Sequence, residues 1–138
     1  KFFRFGIPTT VFCDAHLQAQ SASLLNSDCL VVAFSRTGRT RDLIRSVQLA
    51  KGTGAKILVL CASGGPLAEL ADVHISVDVE EDPDIYTPMT SRLAHLTYID
   101  ALAVAVTLLR GPAAIDMLER AKASISEKRL VSKLDEAL

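Results

Sequence analysis

The sequence predicts an α/β fold, a three-layer doubly wound parallel sheet, and three features carry that expectation. Two short runs, residues 29–34 (Cys-Leu-Val-Val-Ala-Phe) and 56–61 (Lys-Ile-Leu-Val-Leu-Cys), are almost continuously apolar. Strands covered on both faces read this way. Between and after them lie stretches with apolar residues three and four apart, the stripe of an amphipathic helix. Strand and helix patterns alternate, the order that builds a parallel sheet between helix layers.

Taken in chain order, residues 9–13 (Thr-Thr-Val-Phe-Cys) form a β-branched and aromatic run after Gly6-Ile7-Pro8 and are expected to be a short strand. Residues 29–34 form the next strand. Residues 40–51 carry Leu43, Ile44, Val47 and Ala50 on one stripe and stop at Gly52-Thr53-Gly54. Residues 56–61 are the following strand, and 66–71 a short helix with Leu67 and Leu70 inward. In 73–79, Val73, Ile75, Val77 and Val79 alternate with His74, Ser76 and Asp78. Such alternation places the strand at or near a sheet edge, with His74 facing outward and inert.

Residues 91–110 make the longest helix, with Leu93, Leu96, Ile99, Leu102, Val106 and Leu109 three or four apart. Its second half is apolar nearly all round, so the core plus a further partner, such as a second subunit, is expected to cover it. Gly111-Pro112 breaks the chain. A last helix starts near Ala113 with Ile115, Leu118, Ala121 and Ile125 inward, and Leu130, Leu134 and Leu138 continue at a spacing of four.

Composition narrows the function. The chain has 138 residues, 49% hydrophobic and 22% charged, which suits one compact domain and excludes disorder. Fifteen Lys and Arg against sixteen Asp and Glu give a net charge of −1. That is no global basic field for nucleic acid, and five Phe, two Tyr and no Trp leave little for base stacking. Cys13, Cys29 and Cys61 are far apart without a CxxC pair, and are expected to be reduced core thiols of a cytoplasmic protein. No His, Asp, Glu or Cys cluster has metal-ligand spacing, so neither metal nor other cofactor is expected. The most apolar stretch, residues 101–109, is too short to span a bilayer and is flanked by Asp100 and Arg110, so no membrane partner is expected.

In doubly wound sheets ligands bind outside the carboxyl ends of the strands. There, after the strand at 29–34, stands Ser35-Arg36-Thr37-Gly38-Arg39-Thr40, opening the next helix. A phosphate needs converging N–H and O–H donors and no opposing carboxylate. The helix start supplies free N–H groups and a favourable dipole, and Gly38 allows close backbone approach. Ser35, Thr37 and Thr40 offer hydroxyls, while Arg36 and Arg39 raise the local potential. Helix capping would need one hydroxyl only. The spacing fits neither a Walker A nor a GxGxxG pattern, so no nucleotide is implied.

Glu80, Glu81 and Asp82 follow the edge strand and read either as a solvated acidic turn or as groups for ligand hydroxyls or proton transfer. Arg92 and His95 share a helix face, with Ser91 one turn before His95. Two readings stand for them: contact with ligand hydroxyls or a carboxylate, or a surface ion pair for Arg92 and a satisfied interior His95. His16 is a further candidate for ligand contact, across a subunit boundary. Gly64-Gly65-Pro66 reads equally as pocket floor and as plain turn. Ser35 lacks a GxSxG elbow and is a poor covalent nucleophile.

The loop resembles the second phosphate loop of the SIS (sugar isomerase) domain, S-x-[ST]-G-x-T. The run Glu81-Asp82-Pro83-Asp84-Ile85-Tyr86-Thr87-Pro88-Met89-Thr90-Ser91-Arg92-Leu93-Ala94-His95 resembles the RpiR family of transcriptional regulators, and within it the HexR type. Lys1-Phe2-Phe3-Arg4-Phe5-Gly6 and Asp14-Ala15-His16-Leu17-Gln18 are similar to the same subgroup. The likeness runs from Lys1 to Pro112, and so implies a sugar-phosphate-binding SIS domain over 1–112 with a helical extension over 113–138. It implies a phosphorylated sugar effector, for the HexR type 2-keto-3-deoxy-6-phosphogluconate, and a homodimer or higher oligomer that relays ligand binding. DNA would be bound only by a helix-turn-helix domain outside this sequence. An earlier SIS strand with a Ser-bearing ligand loop is likewise expected ahead of residue 1. The other readings are a phosphosugar isomerase using Glu80 or Glu81 with His95, and a dimerisation module with a vestigial loop.

Overall fold

A computed structural model of the chain describes residues 1–81 and 89–126. They fall into two compact bodies, residues 11–98 and residues 1–10 with 99 onward.

The larger body is an α/β unit. It contains α1 (Ala15–Ser23), β1 (Leu30–Phe34), α2 (Arg41–Gly52), β2 (Lys56–Cys61), β3 (Val73–Ser76) and the start of α3 (Thr90–Arg110). The three strands are parallel in the order β1-β2-β3. In register, Leu30 lies beside Lys56 and Phe34 beside Leu60, while Leu58 lies beside Val73 and Cys61 beside Ser76. Central β2 is buried from Ile57 to Cys61. Alternation sends Ile57, Val59 and Cys61 to one face, where they join Val47 and Ala50 of α2, Ala22 of α1 and Leu67 in one core. Leu58 and Leu60 point to the opposite face. The fold is thus a parallel sheet flanked by helices, as the sequence predicts.

Several elements differ from expectation. Residues 9–13 form no strand: they pair with neither edge of the β1-β2-β3 sheet, and without a partner ladder an extended run is not a strand. Phe12 instead accepts a backbone hydrogen bond from the Gln18 side chain at 2.9 Å. Residues 66–71 yield only a 3-10 turn at Ala68–Leu70, a stretch too short to repay helix nucleation. Leu67 is nonetheless buried in the core. Helix α1 was not marked by periodicity, because it buries only Ala22. Its start is set by Asp14, whose carboxylate accepts from the N–H groups of His16 and Leu17, each at 3.0 Å. Cys13 is exposed and Cys29 half-buried, leaving Cys61 as the one core thiol of the three. On edge strand β3, Val73 is exposed, and His74 turns in rather than out, its Nε2 3.1 Å from the Cys61 carbonyl oxygen.

The smaller body joins a 3-10 turn at Phe2–Phe5, the end of α3 and α4 (Pro112–Ser126). Phe5 is buried, and its carbonyl oxygen accepts from Arg110 Nη1 at 2.8 Å. Lys1 pairs with Asp100. Gly6 sits at φ 71°, where a Cβ would stand 3.1 Å from Met117 Sδ. Ile115 and Ile125 of α4 are exposed rather than inward, and Ala114 takes the buried position. The expected positions Leu130, Leu134 and Leu138 lie outside the described residues.

Helix α3 presents much of its apolar surface to solvent: Leu93, Leu96, Val104, Leu108 and Leu109 are all exposed, Leu109 at 88%. By length and composition this helix could cross a bilayer, a test that helices of soluble proteins also pass.

Candidate functional site

The Ser35–Thr40 segment connects the end of β1 to α2, at the carboxyl end of the sheet. The Ser35 N–H extends the ladder to the Leu60 carbonyl oxygen at 3.1 Å. Its hydroxyl accepts from the Gly38 N–H at 3.0 Å, which curls the loop back on itself. Gly38 is buried at φ 67°, a conformation that favours glycine. The loop is tied to the segment after β2 by three contacts. Ala62 N–H donates to Arg36 O and Leu67 N–H to Gly38 O, both at 3.1 Å, and Arg39 Nη2 reaches Gly64 O at 3.4 Å.

Thr40 is the N-cap of α2. Its carbonyl oxygen accepts from the Ile44 N–H at 3.0 Å, but its side chain makes no capping bond. The Thr37 side chain likewise makes no hydrogen bond among the described residues. The first N–H groups of α2 thus have no side-chain acceptor from Thr40, whose hydroxyl stays out of the cap. A helix start in this state is suited to an anion. Asp42 lies inside the first turn.

Glu81 enters the site from the end of the β3 segment. Its Oε2 accepts from the Ser91 hydroxyl at 2.8 Å and stands 3.5 Å from Arg36 Nη1, while Oε1 meets the Ser91 N–H at 3.4 Å. The side chain is only 5% exposed. Burial by itself would push this carboxyl up. The Ser91 hydroxyl and the backbone N–H groups of Ser91, Met89 and Thr90 outweigh that and hold it below its ordinary range. Glu81 is thus an ionised cap of α3.

His95 is half-buried. Its Nδ1 lies 2.7 Å from Ser91 O and its Nε2 3.2 Å from Leu60 O, so both ring nitrogens face backbone carbonyls. Its ring meets Phe34 edge-on with centroids 6.2 Å apart. Arg92 and Glu80 are exposed. Asp82 lies outside the described residues. His16 lies in a groove between α1 and α2 with Asp42, Arg45 and Leu49, apart from the loop. The geometry thus joins Glu81 to the 35–40 loop through Arg36, while His95 packs on Phe34, the residue before the loop. Among the described residues no group of three or more His, Cys, Asp or Glu could hold a metal.

One cluster escaped the sequence reading. Asp78 accepts from the Ser63 N–H at 2.7 Å, the Ser63 hydroxyl at 2.6 Å and the Ser76 hydroxyl at 3.0 Å. The Ser63 bonds first, then Ser76, hold its carboxyl below the ordinary range, and His74 adds in the same sense. A polar residue just past each of two adjacent strands was the available signal. Nearby, burial pushes the Cys61 thiol up, with the Asp78 charge adding to it.

Comparison with known proteins places the chain in a family. The Escherichia coli (strain K12) HTH-type transcriptional regulator HexR is 44% identical over 134 residues, covering 97% of this chain and 46% of the regulator. The HexR of Pseudomonas aeruginosa is 42% identical over 129 residues, covering 94% and 45%. The chain thus spans about half the length of these curated relatives. The Vibrio vulnificus NanR protein complexed with ManNAc-6P superposes with a TM-score of 0.85 over 94% of this chain and 49% of NanR; at 24% identity that shows the fold. Residues 1–105 match the SIS domain, and the chain belongs to that family.

Proposed function

We propose that this chain is the sugar-phosphate-sensing domain of a HexR-like regulator of the RpiR family, controlling DNA binding by a helix-turn-helix domain of the whole protein. The observation that carries this reading is the loop at the start of α2. It gathers hydroxyls that the helix cap does not use, beside two arginines. A phosphate dianion placed there would take N–H bonds from α2, O–H bonds from Ser35, Thr37 and Thr40, and charge from Arg39 and from Arg36 once it turns from Glu81. Arg92, exposed on α3, is a candidate for a sugar carboxylate. The effector class is a phosphorylated sugar acid such as 2-keto-3-deoxy-6-phosphogluconate. The resemblance of residues 81–95 to the HexR type implies that effector, and the likeness to two regulators named HexR supports the regulator reading.

The isomerase reading fits less well. A general base works best when its pKa lies near the operating pH. Glu81 is held low by its capping bonds, and the His95 nitrogens are turned to Ser91 O and Leu60 O. The exposed apolar residues of α3 support association with a second copy in a cytoplasmic regulator.

Calorimetric titration with a panel of sugar phosphates, with NMR of the bound sugar, tests the assignment. Binding without interconversion is expected. Turnover lost in Glu81→Gln would establish an isomerase, and absence of binding across the panel would leave a pure dimerisation module.

A further inference from the structure

Gly65 lies on the turn after β2, opposite the 35–40 loop. It is not among the glycines with positive φ, so its backbone makes no demand for glycine. Space makes that demand. A Cβ on Gly65 would stand 2.6 Å from the Thr37 carbonyl oxygen and 3.1 Å from Gly38 Cα, both rigid backbone atoms. Reciprocally, a Cβ on Gly38 would stand 3.3 Å from Gly65 Cα and 3.0 Å from Cys61 Sγ. Two glycines thus let two backbones touch beneath the loop.

The consequence runs through one peptide plane. The Thr37 carbonyl and the Gly38 N–H belong to the same rigid amide. That N–H donates to Ser35 Oγ at 3.0 Å. Pushing the Thr37 oxygen away from residue 65 therefore turns the Gly38 N–H off Ser35 and changes the shape of the whole loop. The turn that bears Gly65 is itself pinned: Asp78, just past β3, takes both the N–H and the hydroxyl of Ser63.

We infer that Gly65 is a positioning residue for the phosphate seat, acting through the Thr37–Gly38 amide, and that Asp78 holds the turn carrying Gly65 in place through Ser63. The inference rests on the proposed reading of residues 35–40 as a phosphate loop, and deepens it by adding a second wall that touches no ligand.

The test measures dissociation constants of the 138-residue chain for 2-keto-3-deoxy-6-phosphogluconate and for inorganic phosphate. Gly65→Ala is expected to weaken both by tenfold or more and by a similar factor, because the loss falls on the phosphate group. A circular dichroism melt checks that the variant is folded. Unchanged affinity in folded Gly65→Ala, with the parent chain binding, overturns this inference alone. Failure of the parent chain to bind either ligand overturns the phosphate-loop reading as well. Should Gly65→Ala not fold, Asp78→Ala and Asp78→Asn decide. Asp78→Ala is expected to lose at least fivefold, and Asp78→Asn, which keeps an oxygen for the Ser63 N–H, to lose less. Equal affinity of Asp78→Ala and the parent chain overturns the inference.

Discussion

The guanidinium of Arg36, in the loop after β1, lies 3.5 Å from the carboxylate of Glu81, which caps the start of α3. One arginine thus links the loop to the residue that caps α3. Arg36 is half-exposed and Glu81 nearly enclosed, so Arg36 is the partner free to turn toward an incoming anion. Arg36→Gln should weaken sugar-phosphate binding about tenfold, the scale of one charge-assisted hydrogen bond. Its melting temperature should change little, because a half-exposed ion pair contributes little. Titration calorimetry and thermal melts on the same variant separate the two effects.

Ser35 and Thr40 should part company in stability but not in binding. Thr40 makes no capping bond, so Thr40→Ala leaves the helix start as it is. Ser35→Ala removes the acceptor of the Gly38 N–H and should cost about 1 kcal/mol of folding stability. Both should lose about 1 kcal/mol or more of sugar-phosphate affinity. Urea unfolding beside calorimetry reads the contrast, and equal stability loss in both variants would contradict it.

Acid should loosen the start of α3. The Glu81 carboxyl is held below its ordinary value of 4.5 in the folded protein. Its contribution to stability is therefore present above that pH and is lost as pH falls through the lower folded value. The parent chain should lose stability between neutral pH and about pH 3 more steeply than Glu81→Gln, which has no proton to take up. Thermal melts across that range, with parallel slopes as the contrary result, decide it.

The cysteines should react in the order of their exposure. Cys13 is exposed, whereas Cys61 is buried and its thiol is pushed up by that burial. Thiolate is the reactive form, so Cys61 is doubly protected. Mass mapping after brief iodoacetamide treatment at neutral pH should find Cys13 modified and Cys61 intact until denaturant is added.

In the core, Leu60 of β2 is fully buried on the face opposite α2. Leu60→Ala should cost about 2–5 kcal/mol, the range for a buried leucine truncated in a packed interior. Denaturant unfolding measures it, and a loss below 1 kcal/mol would mean that this face of the sheet is not packed.

Residues whose environment is set by their near neighbours were legible in the chain itself. The apolar run 56–61 coincides with β2, and the stripe of Leu43, Ile44, Val47 and Ala50 coincides with the inner face of α2. The loop from Ser35 to Thr40 could be found because hydroxyls, glycine and a helix start lie within six consecutive residues. Periodicity and composition are local properties, and they determined fold class and the place of the proposed anion loop. The partners of Glu81, the inward turn of His74, the Asp78–Ser63 link and the contact of Gly38 with Gly65 join segments distant along the chain. Only packing decided those. Residues 9–13 make the same point in reverse: β-branched residues favour an extended backbone, but a strand exists only when a neighbouring strand accepts its hydrogen bonds.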